Sequence, residues 1–115
     1  MRASGNTYER QALEALTHRG LSLLTRNYNT RHGELDLVMR EGNDVVFVEV
    51  RYRRRGHAAS SVAAAKQTRL IRAASLWLAA HPAHAHRACR FDVVSFDGPS
   101  AEMCWWRGAF EVECA

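Results

Sequence analysis

Asp44-Val45-Val46-Phe47-Val48-Glu49-Val50-Arg51-Tyr52 is the most strand-like stretch of this chain, with Val45, Val46, Phe47, Val48 and Val50 apolar on both faces. A strand buried on both faces belongs inside a sheet that helices cover, which points to an α/β fold. Glu49 breaks the pattern. A carboxylate flanked by Phe47, Val48 and Val50 carries a heavy desolvation cost unless a cation stands beside it. The two-residue period of a strand places Arg51 on the same face as Glu49.

Upstream, Gly42-Asn43 is a hairpin signal, so residues 34–40 pair with this strand. There Glu34, Asp36 and Val38 share one face and Leu35, Leu37 and Met39 the other, and Asp36 points from the neighbouring strand toward Glu49. A polar turn over 29–33 and an apolar strand over 21–28 complete a meander. Before it, Asn6 or Thr7 caps a helix over 7–19, with Glu9 in its first turn and Gly20 as its stop. Downstream, residues 53–60 form a basic connection, and Ser60 or Ser61 caps a long helix that runs to about residue 80, ahead of Pro82. Its apolar stripe is Leu70, Ala74, Trp77 and Leu78, while Lys66, Arg69 and Arg72 recur every third residue on another side. A loop over 81–87, a strand over 90–96, the turn Asp97-Gly98-Pro99-Ser100 and a strand over 101–107 follow. The order αβββαββ implies a mixed sheet flanked by helices, because a strand–helix–strand crossover joins parallel neighbours.

The chain has 115 residues, 47% of them apolar. At that length one domain, residues 1–115, buries roughly two-thirds of its unfolded surface without disulfides or a structural metal. The composition excludes disordered and collagen-like classes. No apolar run approaches the roughly 18 residues of a membrane span, and Arg2, Glu9, Arg10 and Glu14 interrupt what a signal peptide would keep apolar. A cytoplasmic location is expected. Cys89, Cys104 and Cys114 are odd in number and form no CxxC pair, as reduced thiols would.

Charge is segregated along the chain. Residues 51–90 hold nine basic residues and no Asp or Glu, and five of the acids outside that block fall between positions 34 and 49. A basic segment beside a carboxylate cluster suits a polyanion held against a metal, since arginines neutralise phosphates and carboxylates recruit a hard cation. A solvated basic loop would look the same. Asp36, Glu49 and Arg51, converging near a sheet end, can hold Mg²⁺ with waters and substrate phosphate, or can form a buried salt bridge between a carboxylate and Arg51. His81, His84, His86 and Cys89 match no closed zinc spacing. Tyr52, Trp77, Trp105 and Trp106 can stack on bases but suit a core equally well.

Gly33-Glu34-Leu35-Asp36-Leu37, then Val46-Phe47-Val48-Glu49-Val50-Arg51-Tyr52-Arg53, Lys66 and Arg69 on a helix, and Arg90-Phe91-Asp92-Val93-Val94 on a strand resemble the YraN-type family. That family is similar to the PD-(D/E)XK nuclease superfamily, closest to archaeal Holliday-junction resolvases. The resemblance covers essentially the whole chain and implies a restriction-endonuclease-like fold. It also implies that Asp36 and Glu49 are the motif's acids and metal ligands, that Val50 adds its backbone carbonyl, and that Glu9 lies close to the metal on the first helix. Lys66, the only lysine, would contact phosphate from the second helix. Where the superfamily motif has lysine, this sequence has Arg51. A guanidinium stays protonated and supplies only the electrostatic part of a lysine's work. Resolvase-like proteins act as two-fold dimers, so a homodimer is expected by analogy.

The leading expectation is a Mg²⁺- or Mn²⁺-dependent endonuclease on structured or branched DNA. Asp36, Glu49, Arg51 and Glu9 would form the catalytic group, and Arg53, Arg54, Arg55, Lys66, Arg69 and Arg72 the nucleic-acid surface. The rival is a non-catalytic nucleic-acid-binding protein in which Arg51 neutralises the acids. A third is an adaptor whose basic face meets an acidic protein.

Overall fold

The computed structural model describes residues 3–53 and 62–110. Its elements run α1 (Ala3–His18), β1 (Ser22–Asn29), β2 (Glu34–Glu41), β3 (Asp44–Arg53), α2 (Ala64–Ala80), a 3₁₀ turn (Pro82–His84), β4 (Cys89–Asp97) and β5 (Glu102–Phe110). The order αβββαββ read from the sequence is the order found. The strands lie side by side as β1-β2-β3-β4-β5. Only the β3–β4 step, bridged by α2, is parallel, so the sheet is mixed.

Strand periodicity divides the core into two layers. Val45 and Phe47 of β3 pack with Leu70, Ala73, Ala74 and Trp77 of α2. Val46 and Val48 face the other way, against Ala12 and Leu16 of α1. Each helix therefore covers one face of the sheet. Trp77, a candidate base-stacking residue, is fully buried and donates its Nε1–H to Thr25 Oγ1 at 2.8 Å, so it is core.

Three local expectations are corrected. The first helix begins at Ala3 rather than residue 7, because no proline interrupts its start, so Thr7 lies inside it and Glu9 is in its second turn. Its end is as expected: Gly20 takes φ +99°, its N–H reaches the Thr17 carbonyl, and the Leu21 N–H reaches the Leu16 carbonyl. That is a Schellman motif, which needs a residue free of the Cβ penalty. The second helix starts at Ala64 with Ala63 at the N-cap and no side-chain cap, while Ser60 and Ser61 lie outside the described residues. Leu35 leaves the face of Leu37 and Met39: it packs in the α2 layer and they pack in the α1 layer. The two-residue period breaks at Asp36, between them.

At the hairpin end of the sheet a closed ionic network replaces apolar packing. Asp92 is fully buried. It takes a bidentate pair from Arg90 at 3.0 and 3.2 Å, the Trp105 Nε1–H at 2.9 Å and the Gly108 N–H at 2.9 Å. Gly108, at φ +59°, marks the register shift that turns this N–H inward. Glu41 accepts from Arg90 at 2.8 Å and from Arg107 at 2.7 Å, and these arginines hold its carboxyl below the usual range. Every partner of Asp92 loses an acceptor if the carboxylate goes. Asp92→Ala is expected to lower unfolding stability by about 3 kcal/mol in urea titration, and Asp92→Asn by less.

Candidate functional site

The β2–β3 ladder runs from Glu41–Asp44 to Leu37–Val48 and ends there. The next residues on the two strands are Asp36 and Glu49, and they make no ladder pair. Instead the Val50 N–H donates to Asp36 Oδ2 at 2.9 Å, so a side chain takes the place of a main-chain carbonyl. Beyond Asp36 the chain passes into the β1–β2 turn. Thr30 Oγ1 pins that turn by accepting from the N–H groups of His32 and Gly33 at 3.0 and 3.1 Å. Gly33 passes close to α2: a Cβ there would lie 3.4 Å from Arg69 Cβ.

The split between the strands opens a cavity of 340 Å³. Its walls are Tyr8 and Glu9 of α1, Gly33, Glu34 and Asp36, Glu49 to Tyr52 of β3, and Lys66, Arg69 and Leu70 of α2. Asp36, Glu49, Val50, Arg51, Glu9, Lys66 and Arg69 are thus brought together from four segments of the chain. Arg72 is exposed on α2 outside this lining. The side chain of Arg53, and Arg54 and Arg55 entirely, lie outside the described residues.

Glu49 is 8% exposed at its side chain and has the cation that its burial demands, but Lys66 supplies it: Lys66 Nζ is 2.7 Å from Glu49 Oε2. The sequence pattern pointed to Arg51, which shares this cavity wall. Glu9 is buried, on the side of α1 that carries Leu13 and Leu16. One of its oxygens, Oε1, takes no hydrogen bond, while the residue keeps other interactions. Burial first, then the charge of Glu49 and that of Glu9, push the Asp36 carboxyl up to about 8, against the opposing pull of the Val50 N–H. Two carboxylates this close favour a shared proton or a cation. Among the described residues no three His, Cys, Asp or Glu side chains form a metal cage on their own. His81 instead stacks on Trp77 at 4.0 Å, with Nδ1 2.7 Å from the Trp77 carbonyl.

Two features of the site were not read from the sequence. Tyr8 and Tyr52 stack at 4.7 Å on the cavity wall, joining α1 to β3. Tyr8 precedes the buried Glu9 and so borders the buried side of the helix, which was the available signal. The Lys66–Glu49 contact depends on the height of α2 over the sheet, which residue spacing does not carry.

An αβββαββ mixed sheet, split at one end around paired carboxylates beneath a basic helix flank, has the architecture of the restriction-endonuclease-like α/β class. The chain belongs to the family described as uncharacterised protein family UPF0102, the YraN family, whose profile matches residues 8–96. It is similar to UPF0102 proteins of Alkalilimnicola ehrlichii (52% identical over 93% of this chain and 86% of the relative) and Stutzerimonas stutzeri (51% over 95% of each). It is also similar to one from Vibrio cholerae, 46% identical over 94% of this chain and 92% of the relative. No helix among the described residues is long and apolar enough to cross a membrane.

In the unfolded chain Asp36 titrates near pH ~4, whereas in the fold its carboxyl holds its proton up to about 8. The folded state therefore binds the extra proton between these values, and stability that is full below the lower one is lost as pH rises through the upper. Without divalent cations, urea unfolding is expected to show stability falling from pH 4 to pH 8. Asp36→Asn should flatten that decline and leave the protein more stable than wild type at pH 8.5.

Proposed function

We propose that the chain is a metal-dependent endonuclease that binds structured or branched DNA and hydrolyses a phosphodiester bond. The observation that carries this reading is the meeting of Asp36 and Glu49 where the β2–β3 ladder ends, in a cavity walled by Arg51, Lys66 and Arg69. The donor set fits a hard cation. Asp36, Glu49 and the Val50 carbonyl offer oxygen alone, the chemistry that Mg²⁺ or Mn²⁺ accepts while keeping several waters. When bound, such an ion supplies a water of lowered pKa and neutralises phosphate charge.

The chain's own residues do the rest. Arg51 stabilises negative charge growing on the phosphate. Glu9 adds negative potential on the α1 side, which favours a dication over a monovalent ion. Arg69 and Arg72 on α2, with Arg53, Arg54 and Arg55 in the adjoining basic segment, contact backbone phosphates and set position without reading sequence. A homodimer would present two such sites to a two-fold symmetric junction.

A second reading, a nucleic-acid-binding protein with an inactive site, draws support from the Lys66–Glu49 pair, which already neutralises one acid. Incubation of the protein with branched DNA and Mn²⁺ separates the two. Wild type is expected to cut. Asp36→Ala and Glu49→Ala should each cut about a hundredfold or more slower with little change in DNA affinity. Undiminished cutting by both variants defeats the nuclease reading, and salt-dependent binding that ignores Mn²⁺, with no cutting by wild type, establishes the second.

A further inference from the structure

Lys66 Nζ lies 2.7 Å from Glu49 Oε2, and the two partners differ in kind. The Glu49 side chain is 8% exposed and the Lys66 side chain 47%. A buried carboxylate cannot stand without a counter-ion, so some cation must occupy this place whenever Glu49 is charged. An ammonium on a flexible, half-exposed stem is an exchangeable occupant: it makes a point contact, loses side-chain entropy to hold it, and is screened by solvent. A divalent cation on Glu49 would meet this ammonium at a few ångströms, where like charges repel strongly in a half-buried site. Lys66 would then have to move. Its stem leaves it at the cavity wall in the first turn of α2, one turn before Arg69, where nucleic-acid phosphate crossing the carboxylates would pass.

We propose that Lys66 is the resident counter-ion of Glu49, that it leaves Glu49 when a divalent cation occupies the carboxylates, and that the freed ammonium then binds a phosphate oxygen of the nucleic acid. The inference rests on the metal-site reading of Asp36 and Glu49. It gives α2 the mobile cation of the site, while Arg51 on the strand supplies the fixed one. It also couples the two ligands: phosphate gains a contact only once the metal position is filled, so each should tighten the other.

Calorimetric titration of Mn²⁺ into the full chain without DNA tests the exchange. Lys66→Met is expected to bind Mn²⁺ about three- to tenfold more tightly than wild type, because the competing cation is gone. Equal or weaker binding overturns the exchange and makes Lys66 a strut that holds Glu49 in place. A second readout follows the freed ammonium. With Ca²⁺ as the divalent ion, the slope of log DNA affinity against log salt should be steeper by about 0.9 in wild type than in Lys66→Met. Without divalent ions the two slopes should coincide, and coincidence in Ca²⁺ as well overturns the phosphate contact. Asp36→Ala keeps the two failures apart. If it leaves Mn²⁺ affinity unchanged, the metal-site reading falls together with the exchange; if it abolishes binding while Lys66→Met fails to tighten it, the exchange falls alone.

Discussion

The hydrogen bond from the Val50 N–H to Asp36 Oδ2 stands where the β2–β3 ladder would otherwise continue, and the candidate site depends on it. A main-chain N–H left without an acceptor at the buried end of a ladder costs about 1–3 kcal/mol. By offering a carboxylate oxygen, Asp36 lets β2 part from β3 without that cost. The parting moves Leu35 into the α2 layer, away from Leu37 and Met39, and opens room between the strands. Asp36 is in consequence fixed beside Glu49, with burial and both neighbouring carboxylates opposing its charge.

The helices complete what the split begins. α1 and α2 cover opposite faces of the sheet, so Glu9 and Lys66 would be separated by the strands anywhere along the intact ladder. Past its end, residues of both helices line one cavity. The Tyr8–Tyr52 stack ties α1 to β3 there, and Gly33 lets the β1–β2 turn pass within contact distance of α2. Positioning thus comes from packed elements on three sides.

Much of this was legible in the sequence, for identifiable reasons. The doubly apolar run over Val45 to Val48 could belong only to a covered central strand, and the hairpin at Gly42 fixed its partner, so Asp36 and Glu49 could be placed together from spacing alone. The strand faces were legible only while the ladder lasted: a two-residue period assumes continued pairing, and so misplaced Leu35. That Glu49 needs a cation is legible, with a metal ion and Arg51 both open as its source. The contact from Lys66 is not legible, because strand period is visible in a sequence and the reach of a side chain across a helix–sheet interface is not. The buried Asp92 hub escaped notice for a similar reason. Its partners Arg90, Trp105 and Gly108 converge through a register shift between β4 and β5 that no local pattern announces.

The acids between positions 34 and 49 read as one cluster along the chain, and the fold divides them. Glu41 and Asp44 go to the hairpin end, near Arg90, while Asp36 and Glu49 go to the split end. The two ends neutralise carboxylates differently. Arg90 meets Asp92 through two parallel N–H bonds, and the Trp105 Nε1–H and the Gly108 N–H occupy further lone pairs, so that carboxylate has little capacity left for a ligand. Glu49 meets a half-exposed lysine at one oxygen, and Asp36 accepts a main-chain N–H while its carboxyl hydrogen-bonds that of Glu49. A structural ion pair gains from planar, bidentate closure, and a binding site needs lone pairs whose occupant can leave. The choice of arginine at one end of the sheet and lysine at the other follows that requirement, and it is the physical ground for placing exchange chemistry at Glu49 rather than at Asp92.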